Sequence, residues 1–160
     1  MAILTKSGRT AMAKAIADQP VFMGWGKGDP NWDSPPPDES VNATGLIDPV
    51  GYRKATSVAY CVPDPDGEIS IPSGRFREVN ELTHHLYFRF VYDFEDGLSE
   101  SIREVAIFIG TEPKSDLPPG QFYFSPEQID NPGMLLLLEH RERILREVGV
   151  RETFEFVVTF

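Results

Sequence analysis

Groups able to do chemistry are few in this chain of 160 residues, and they are scattered. The three histidines are His84, His85 and His140. His84 and His85 are adjacent, so in a strand they face opposite sides and share no site without a bulge. His140 sits in Glu139-His140-Arg141-Glu142-Arg143, a charge run whose default is a solvated face. Asp93, Glu95 and Asp96 beside Gly97 resemble a calcium-binding cluster, but the twelve-position loop pattern is absent and an acidic turn accounts for them. Gly24, Gly26 and Gly28 before Asp29 have the look of a phosphate loop, without the Gly-Lys-Ser/Thr or the opening helix that would complete one. Sugar hydrolysis would need paired acids such as Glu78 with Glu81, or Asp93 with Asp96, held ~5 to 9.5 Å apart, and their spacing in sequence supplies no such geometry. We therefore expect no catalytic residue, no metal and no cofactor.

Trp25 and Trp32 bracket a turn-rich stretch, Gly24-Trp25-Gly26-Lys27-Gly28-Asp29-Pro30-Asn31-Trp32-Asp33, followed by Ser34-Pro35-Pro36-Pro37-Asp38. Three readings stay open for these indoles: packing over the loop's own sheet, anchoring a protein interface, and stacking on carbohydrate. The loop from Trp25 to Asp38 and the N-terminal arm are the expected contact surfaces.

Composition narrows the class. Apolar residues make up 41% and charged residues 25%, a globular balance. The 14 prolines and 13 glycines imply many short elements joined by fixed turns. A net charge of −10 argues against a nucleic-acid partner, because a broad basic surface is what neutralises phosphate. Cys61 is the single cysteine, which permits no internal disulfide and fits folding in a reducing cytoplasm. Between Tyr60 and Val62 it reads as an inert buried thiol. No stretch reaches ~18 apolar residues, so no membrane span and no membrane partner are expected.

The elements follow from periodicity. Thr5 can cap a helix from Lys6 to Asp18 with Ala11, Met12, Ala15 and Ile16 on one stripe. Val21 to Trp25 reads as a short strand and Tyr52 to Val62 as a longer one. Pro63 to Gly67 then turns into a return strand at Glu68 to Ile71. His85 to Phe94 alternates strictly, with Leu86, Phe88, Phe90, Tyr92 and Phe94 on one face. Val105 to Ile109 is apolar on both pleat faces, the mark of a strand buried on both sides. Glu95-Asp96-Gly97 would make these two strands antiparallel neighbours. Ser125 to Ile129 suggests a helical turn. Met134 to Leu138 is read as a strand, with Arg141 to Glu147 its charged continuation or a turn. In the last strand, Thr153 to Phe160, Phe154, Phe156, Val158 and Phe160 share a face.

Four motifs in order carry a family resemblance: Leu4-Thr5-Lys6-Ser7-Gly8-Arg9, Gly24-Trp25-Gly26-Lys27-Gly28, Thr44-Gly45-Leu46 and Ile102-Arg103-Glu104-Val105-Ala106-Ile107-Phe108. Over roughly its first 110 residues the chain resembles the N-terminal domain of phage tail-collar fibre proteins, found in contractile-tailed bacteriophages. The resemblance implies a virion structural protein of the tail, made in the host cytoplasm and anchoring fibres or neighbouring subunits, with no catalytic residues to transfer. The chain stops at Phe160 without a shaft or receptor-binding tip, which favours a connector or baseplate component.

The combined expectation is one mainly β domain over residues 1–160, an antiparallel sandwich or distorted barrel with one N-terminal helix. It would act through contacts with other tail or baseplate proteins, as a homo-oligomer, with Trp25, Trp32, Arg103 and Glu104 as candidate interface residues. A carbohydrate-binding module using the loop tryptophans, or a small cell-wall or surface-sugar hydrolase, are the alternatives. If the four apolar residues of the last strand are all buried, they contribute roughly 6 to 12 kcal/mol. Deleting Thr153 to Phe160 is therefore expected to abolish soluble folded protein, and a truncated chain with an unchanged melting transition would overturn that.

Overall fold

The computed structural model describes residues 1–32 and 34–160. In chain order the elements are helix α1 (Lys6–Ala17) and strands β1 (Val21–Gly26), β2 (Pro49–Lys54), β3 (Ser57–Pro63), β4 (Ile69–Ile71), β5 (Gly74–Val79), β6 (His85–Tyr92), β7 (Ser101–Ile109), β8 (Glu112–Pro113), β9 (Tyr123–Phe124), β10 (Ile129–Asn131), β11 (Met134–Leu145) and β12 (Glu152–Thr159), with a single 3-10 turn at Pro126–Gln128. Strands hold 45% of the residues and helix 9%, and one of the antiparallel sheets is nearly closed and barrel-like. The expected mainly β class is what the chain adopts.

Two compact units form, and neither is continuous in sequence. The first takes Met1–Gln19, Ala55–Phe90 and Thr153–Phe160; the second takes Pro20–Lys54 and Val91–Glu152.

In the first unit the sheet order is β12-β6-β3-β5-β4. Its core cluster is Cys61, Ile69, Phe76 and Tyr87, with Ala59, Ile71 and Val157 packed against it. Burial pushes the Cys61 thiol up to about 11, which agrees with an unreactive side chain. Helix α1 starts where Thr5 Oγ1 accepts the Gly8 N–H at 3.1 Å, and only Ala13 of its residues is buried. Along β6 Leu86, Phe88 and Phe90 are all at 0% exposure, and the alternation breaks at Tyr87, which is buried on the opposite face.

The second unit carries the sheet β11-β7-β1-β2-β9, with β8 and β10 as a small separate pair. Doubly apolar β7 lies between β1 and β11, in register from Val21↔Ile109 to Gly26↔Glu104 on one side. A sheet-centre position explains why Glu104 to Phe108 are buried without interruption. One cluster gathers Phe22, Tyr52, Ala106, Phe108 and Phe124, joined by Leu46, Leu135 and Leu138. Trp25 stacks flat on Tyr92, ring centroids 3.5 Å apart at 11°, and the Arg146 guanidinium stands 5.0 Å from the indole. Arg146 is itself buried and donates to the Asp96 carbonyl at 3.1 Å and the Asp93 carbonyl at 2.8 Å.

Several expectations need correction. The strand expected from Tyr52 to Val62 is two strands in different sheets. Lys54 donates its N–H to the Phe122 carbonyl while Thr56 donates to that of Arg89, so the chain changes partners across Ala55. The return strand at 69–71 pairs with β5, and β5 is what lies beside β3. β6 and β7 are not neighbours: β6 lies between β12 and β3. The turn between them is held by Arg146 through carbonyls rather than by a ladder. Phe94 falls outside β6, 44% exposed beneath the Arg151 guanidinium. Of the two readings for Arg141 to Glu147, the charged continuation is the one that forms, as far as Leu145 at the end of β11. In β12 only Phe154 is buried, while Phe156, Val158 and Phe160 are half-buried, so the full apolar sum for that strand is not reached.

Trp25→Ala removes a large side chain at 0% exposure together with its stacking on Tyr92. It is expected to cost about 3 to 5 kcal/mol in urea unfolding. A loss below ~1 kcal/mol would contradict the packing role.

Candidate functional site

Three of the four motifs that carried the family resemblance, Gly24–Gly28, Thr44–Leu46 and Ile102–Phe108, lie in the second unit, around the loop that leaves β1 and returns at β2, whereas Leu4–Arg9 belongs to the first. Gly26 ends β1 opposite Glu104 of β7. A Cβ at Gly26 would lie 2.6 Å from Glu104 Oε2 and 3.1 Å from the Ile47 carbonyl, so the bare backbone makes room for the carboxylate to cross. Glu104 Oε2 then accepts the Ile47 N–H at 2.7 Å, a contact spanning 57 residues. Lys27 and Gly28 donate their N–H groups to the Asp48 and Ile47 carbonyls, closing the loop's neck. Those N–H groups are committed to the chain itself, which removes the phosphate-loop reading.

Beyond the neck, Gly28 takes φ +62 and brings Trp32 back over the loop, where a Cβ would meet the indole at 2.7 Å. Arg103 Nη1 donates to the Lys27 carbonyl at 3.0 Å. Trp32 packs on His140, ring centroids 4.3 Å apart. His140 is not the solvated residue that its charge run suggested. Its side chain is 9% exposed, its Nδ1 bonds the Pro37 carbonyl at 2.8 Å, and its Nε2 stands 3.5 Å from Glu104 Oε1. A carbonyl only accepts, so Nδ1 carries a proton. Ser34 Oγ donates to the Glu142 carboxylate, fixing the loop to β11 a second time.

Of the four candidate interface residues, Trp25 and Glu104 are at 0% and 1% exposure. They lie beneath the surface: Trp25 belongs to β1 rather than to the loop, and stacking on Tyr92 leaves it no face for a sugar. Glu104 and Arg103 do not pair with each other, because neighbours along a strand point to opposite faces. Trp32 and Arg103 are half-buried and line an open pocket of about 190 Å³ with Pro30, Ser34, Pro36, Arg141, Glu142 and Arg143. Arg141 and Arg143 were not singled out in the sequence; β11 is irregular between His140 and Ile144, and Arg141, Glu142 and Arg143 all reach the pocket there. Asp33, also within the expected contact loop, lies outside the described residues.

The acidic candidates are engaged elsewhere. Asp96 pairs with Arg53 at 3.0 Å and accepts the Asp93 N–H at 2.7 Å, while burial pushes its carboxyl above the usual range. Asp93 accepts from Arg151 at 3.0 Å. Among the described residues no group of three or more potential metal ligands converges. His84 and His85, expected on opposite sides, have rings 4.0 Å apart because His84 precedes the strand rather than lying in it. Glu78 and Glu81 are both exposed. No described helix is long and apolar enough to cross a membrane.

Burial pushes the Glu104 carboxyl up, against the lowering pull of the Ile47 N–H and His140. An acid whose folded-state pKa lies above its unfolded value weakens the fold as pH rises from the unfolded value, near 4.5, through the folded one. Glu104→Gln keeps an acceptor for Ile47 and removes the ionisation. Its stability relative to the unchanged protein is therefore expected to rise between pH 4 and 7, and a difference that stays flat or falls would contradict this. Glu104→Ala strands the Ile47 N–H and is expected to cost about 1 to 3 kcal/mol.

A family model described as a baseplate wedge 3 tail fiber network component matches residues 1–160. No curated protein matches the chain. The family agrees with the contractile-tail resemblance of the motifs that meet at Gly26 and Glu104. It carries a structural role in the baseplate, a place in the virion tail and interaction with other tail or baseplate proteins. With its whole length matched, the chain belongs to the family of baseplate wedge 3 tail fiber network components.

Proposed function

We propose that this protein is a non-catalytic connector that anchors a neighbouring tail subunit or fibre through the pocket at Trp32 and Arg103. The observation that carries the reading is a local charge reversal. In a chain of net charge −10, Arg103, Arg141 and Arg143 gather around one indole and two prolines, with Glu142 beside them, so three bases face one acid in the lining. Arginine with tryptophan is the composition of interface hot spots, and the planar guanidinium suits bidentate capture of carboxylate. The partner segment is therefore acidic and extended. Trp25 and Glu104 serve that surface from below, by fixing β1 and the loop neck.

Assembly as a homo-oligomer follows from the repetition of subunits about a tail axis. Synthesis and folding in the host cytoplasm fit the single buried cysteine. The two units are read as one folding domain, because each is assembled from separated stretches and neither can be excised as a continuous segment.

The test is co-purification with the adjacent baseplate proteins. Arg143→Glu changes an exposed residue and is expected to weaken capture at least ~10-fold with an unchanged melting temperature, in keeping with charge reversal at a contact. Arg103→Glu should do the same with some loss of stability, since it also releases the Lys27 carbonyl. Retained capture by both variants would overturn the pocket assignment.

A further inference from the structure

The two adjacent histidines stand at a pocket of the first unit that has no part in the site described above. About 250 Å³ in volume, it is bordered by the bases Lys6, His84 and His85 and by apolar Val62, Pro63 and Leu82. Thr10 and Thr83 complete the wall, but their hydroxyls are committed to the chain itself. Thr10 donates to the Lys6 carbonyl at 3.1 Å and Thr83 to the Cys61 carbonyl at 2.9 Å. Among the described residues no acid lines this pocket.

In a chain with 25 acids against 15 bases that gathering is uneven, and it is unfavourable to the protein by itself. The His84 and His85 rings are 4.0 Å apart. Burial lowers the His85 imidazole below its usual value, and the charges of His84 and Lys6 push it the same way. Lys6 opens α1, whose first turn holds no acid, so its ammonium also meets the positive end of the helix dipole. His85 Nδ1 is engaged with Thr159 Oγ1 at 2.8 Å, which leaves Nε2 free. Neither the His84 ring nor the Lys6 ammonium makes a hydrogen bond among the described residues. None of the three forms an ion pair there either, although Phe160 lies alongside, its N–H donating to the His84 carbonyl at 2.9 Å.

We propose that this pocket binds a carboxylate, the acidic side chain of a partner protein segment, held between Lys6 and the two imidazoles. Such a group supplies the acceptor that all three donors lack and offsets the repulsion among them. The apolar wall, with Leu82 54% exposed, gives an apolar neighbour of that side chain a place to pack, and the net charge of −10 turns away a phosphate-rich polymer. Once bound, the carboxylate favours the protonated imidazoles, so affinity falls as pH rises through their titration. The inference rests on the reading that this protein works by contact with other tail proteins, at a site separate from the Trp32 pocket.

Histidine-resolved NMR on the full chain tests it, with an acetylated peptide of alternating Glu and Leu as the probe. An Arg143→Glu background weakens capture at the Trp32 pocket, and the His84 and His85 signals report on this one. The peptide should shift both signals saturably, raise the His85 titration midpoint, and bind at least ~5-fold more weakly at about pH 8 than at about pH 5.5. Lys6→Gln changes an exposed side chain, so it should keep the melting temperature while weakening binding at least ~5-fold, and His84→Gln should weaken it as well. The same peptide with Gln in place of Glu should leave both signals unmoved. Signals that stay still with the Glu peptide, equal binding by Lys6→Gln, or inorganic phosphate bound more tightly than the peptide would each defeat the proposal. Such a failure leaves the Trp32 pocket standing, since Arg143 lines that pocket and not this one.

Discussion

One carboxylate holds the second unit's loop region together. Glu104 reaches from the centre of the sheet, over a glycine without a side chain, to the backbone of Ile47. Were that N–H left without a partner in a buried setting, the loop would carry a desolvation cost of about 1 to 3 kcal/mol. With the bond made, the neck is closed by three backbone donors: Ile47 to the carboxylate, and Lys27 and Gly28 to the carbonyls of Asp48 and Ile47. Everything farther out, including the Trp32 ring and its seat on His140, takes its position from that neck. A rigid neck also means that a partner meeting Trp32 need not order a long loop first, which lowers the entropic cost of the contact.

Charge is distributed with the same economy. Two arginines do structural work on carbonyls and carboxylates, buried Arg146 on the turn after β6 and half-buried Arg53 on Asp96. Those at 103, 141 and 143 line a pocket mouth, where Arg103 also holds the Lys27 carbonyl and Arg141 stands 3.7 Å from the Glu139 carboxylate. The acidic excess of the whole chain then discourages indiscriminate association between copies, while the pocket offers one place where an acidic neighbour is welcome.

Much of the strand content was legible because it rests on period-two burial: β6, β7 and β1 follow from apolar alternation or from unbroken apolar runs. What sequence could not give was pairing. The turn at Glu95-Asp96-Gly97 looks like a hairpin, but Arg146, some fifty residues farther on, occupies its carbonyls, and no local pattern announces a contact of that range. The break at Ala55 is hidden for the same reason: β2 and β3 have similar composition, and only their different partners divide them. At the site, Arg103-Glu104 and the Gly-Trp-Gly loop were recognisable as motifs, yet their arrangement was not. Glu104 reads as a surface charge until the glycine beneath it is known to face it, and His140 as solvated until Trp32 covers it. Arg141 and Arg143 looked like a solvated run because the irregular stretch of β11 between His140 and Ile144 that turns them to the pocket has no signature in sequence.

The interleaving of the two units bears on how the protein is made. The first unit needs Met1–Gln19, Ala55–Phe90 and Thr153–Phe160 together, so its sheet lacks a member until the chain has emerged as far as residue 160. The second unit needs nothing beyond residue 152. Vectorial synthesis therefore presents the basic pocket before the β12-β6-β3-β5-β4 sheet of the first unit can be completed.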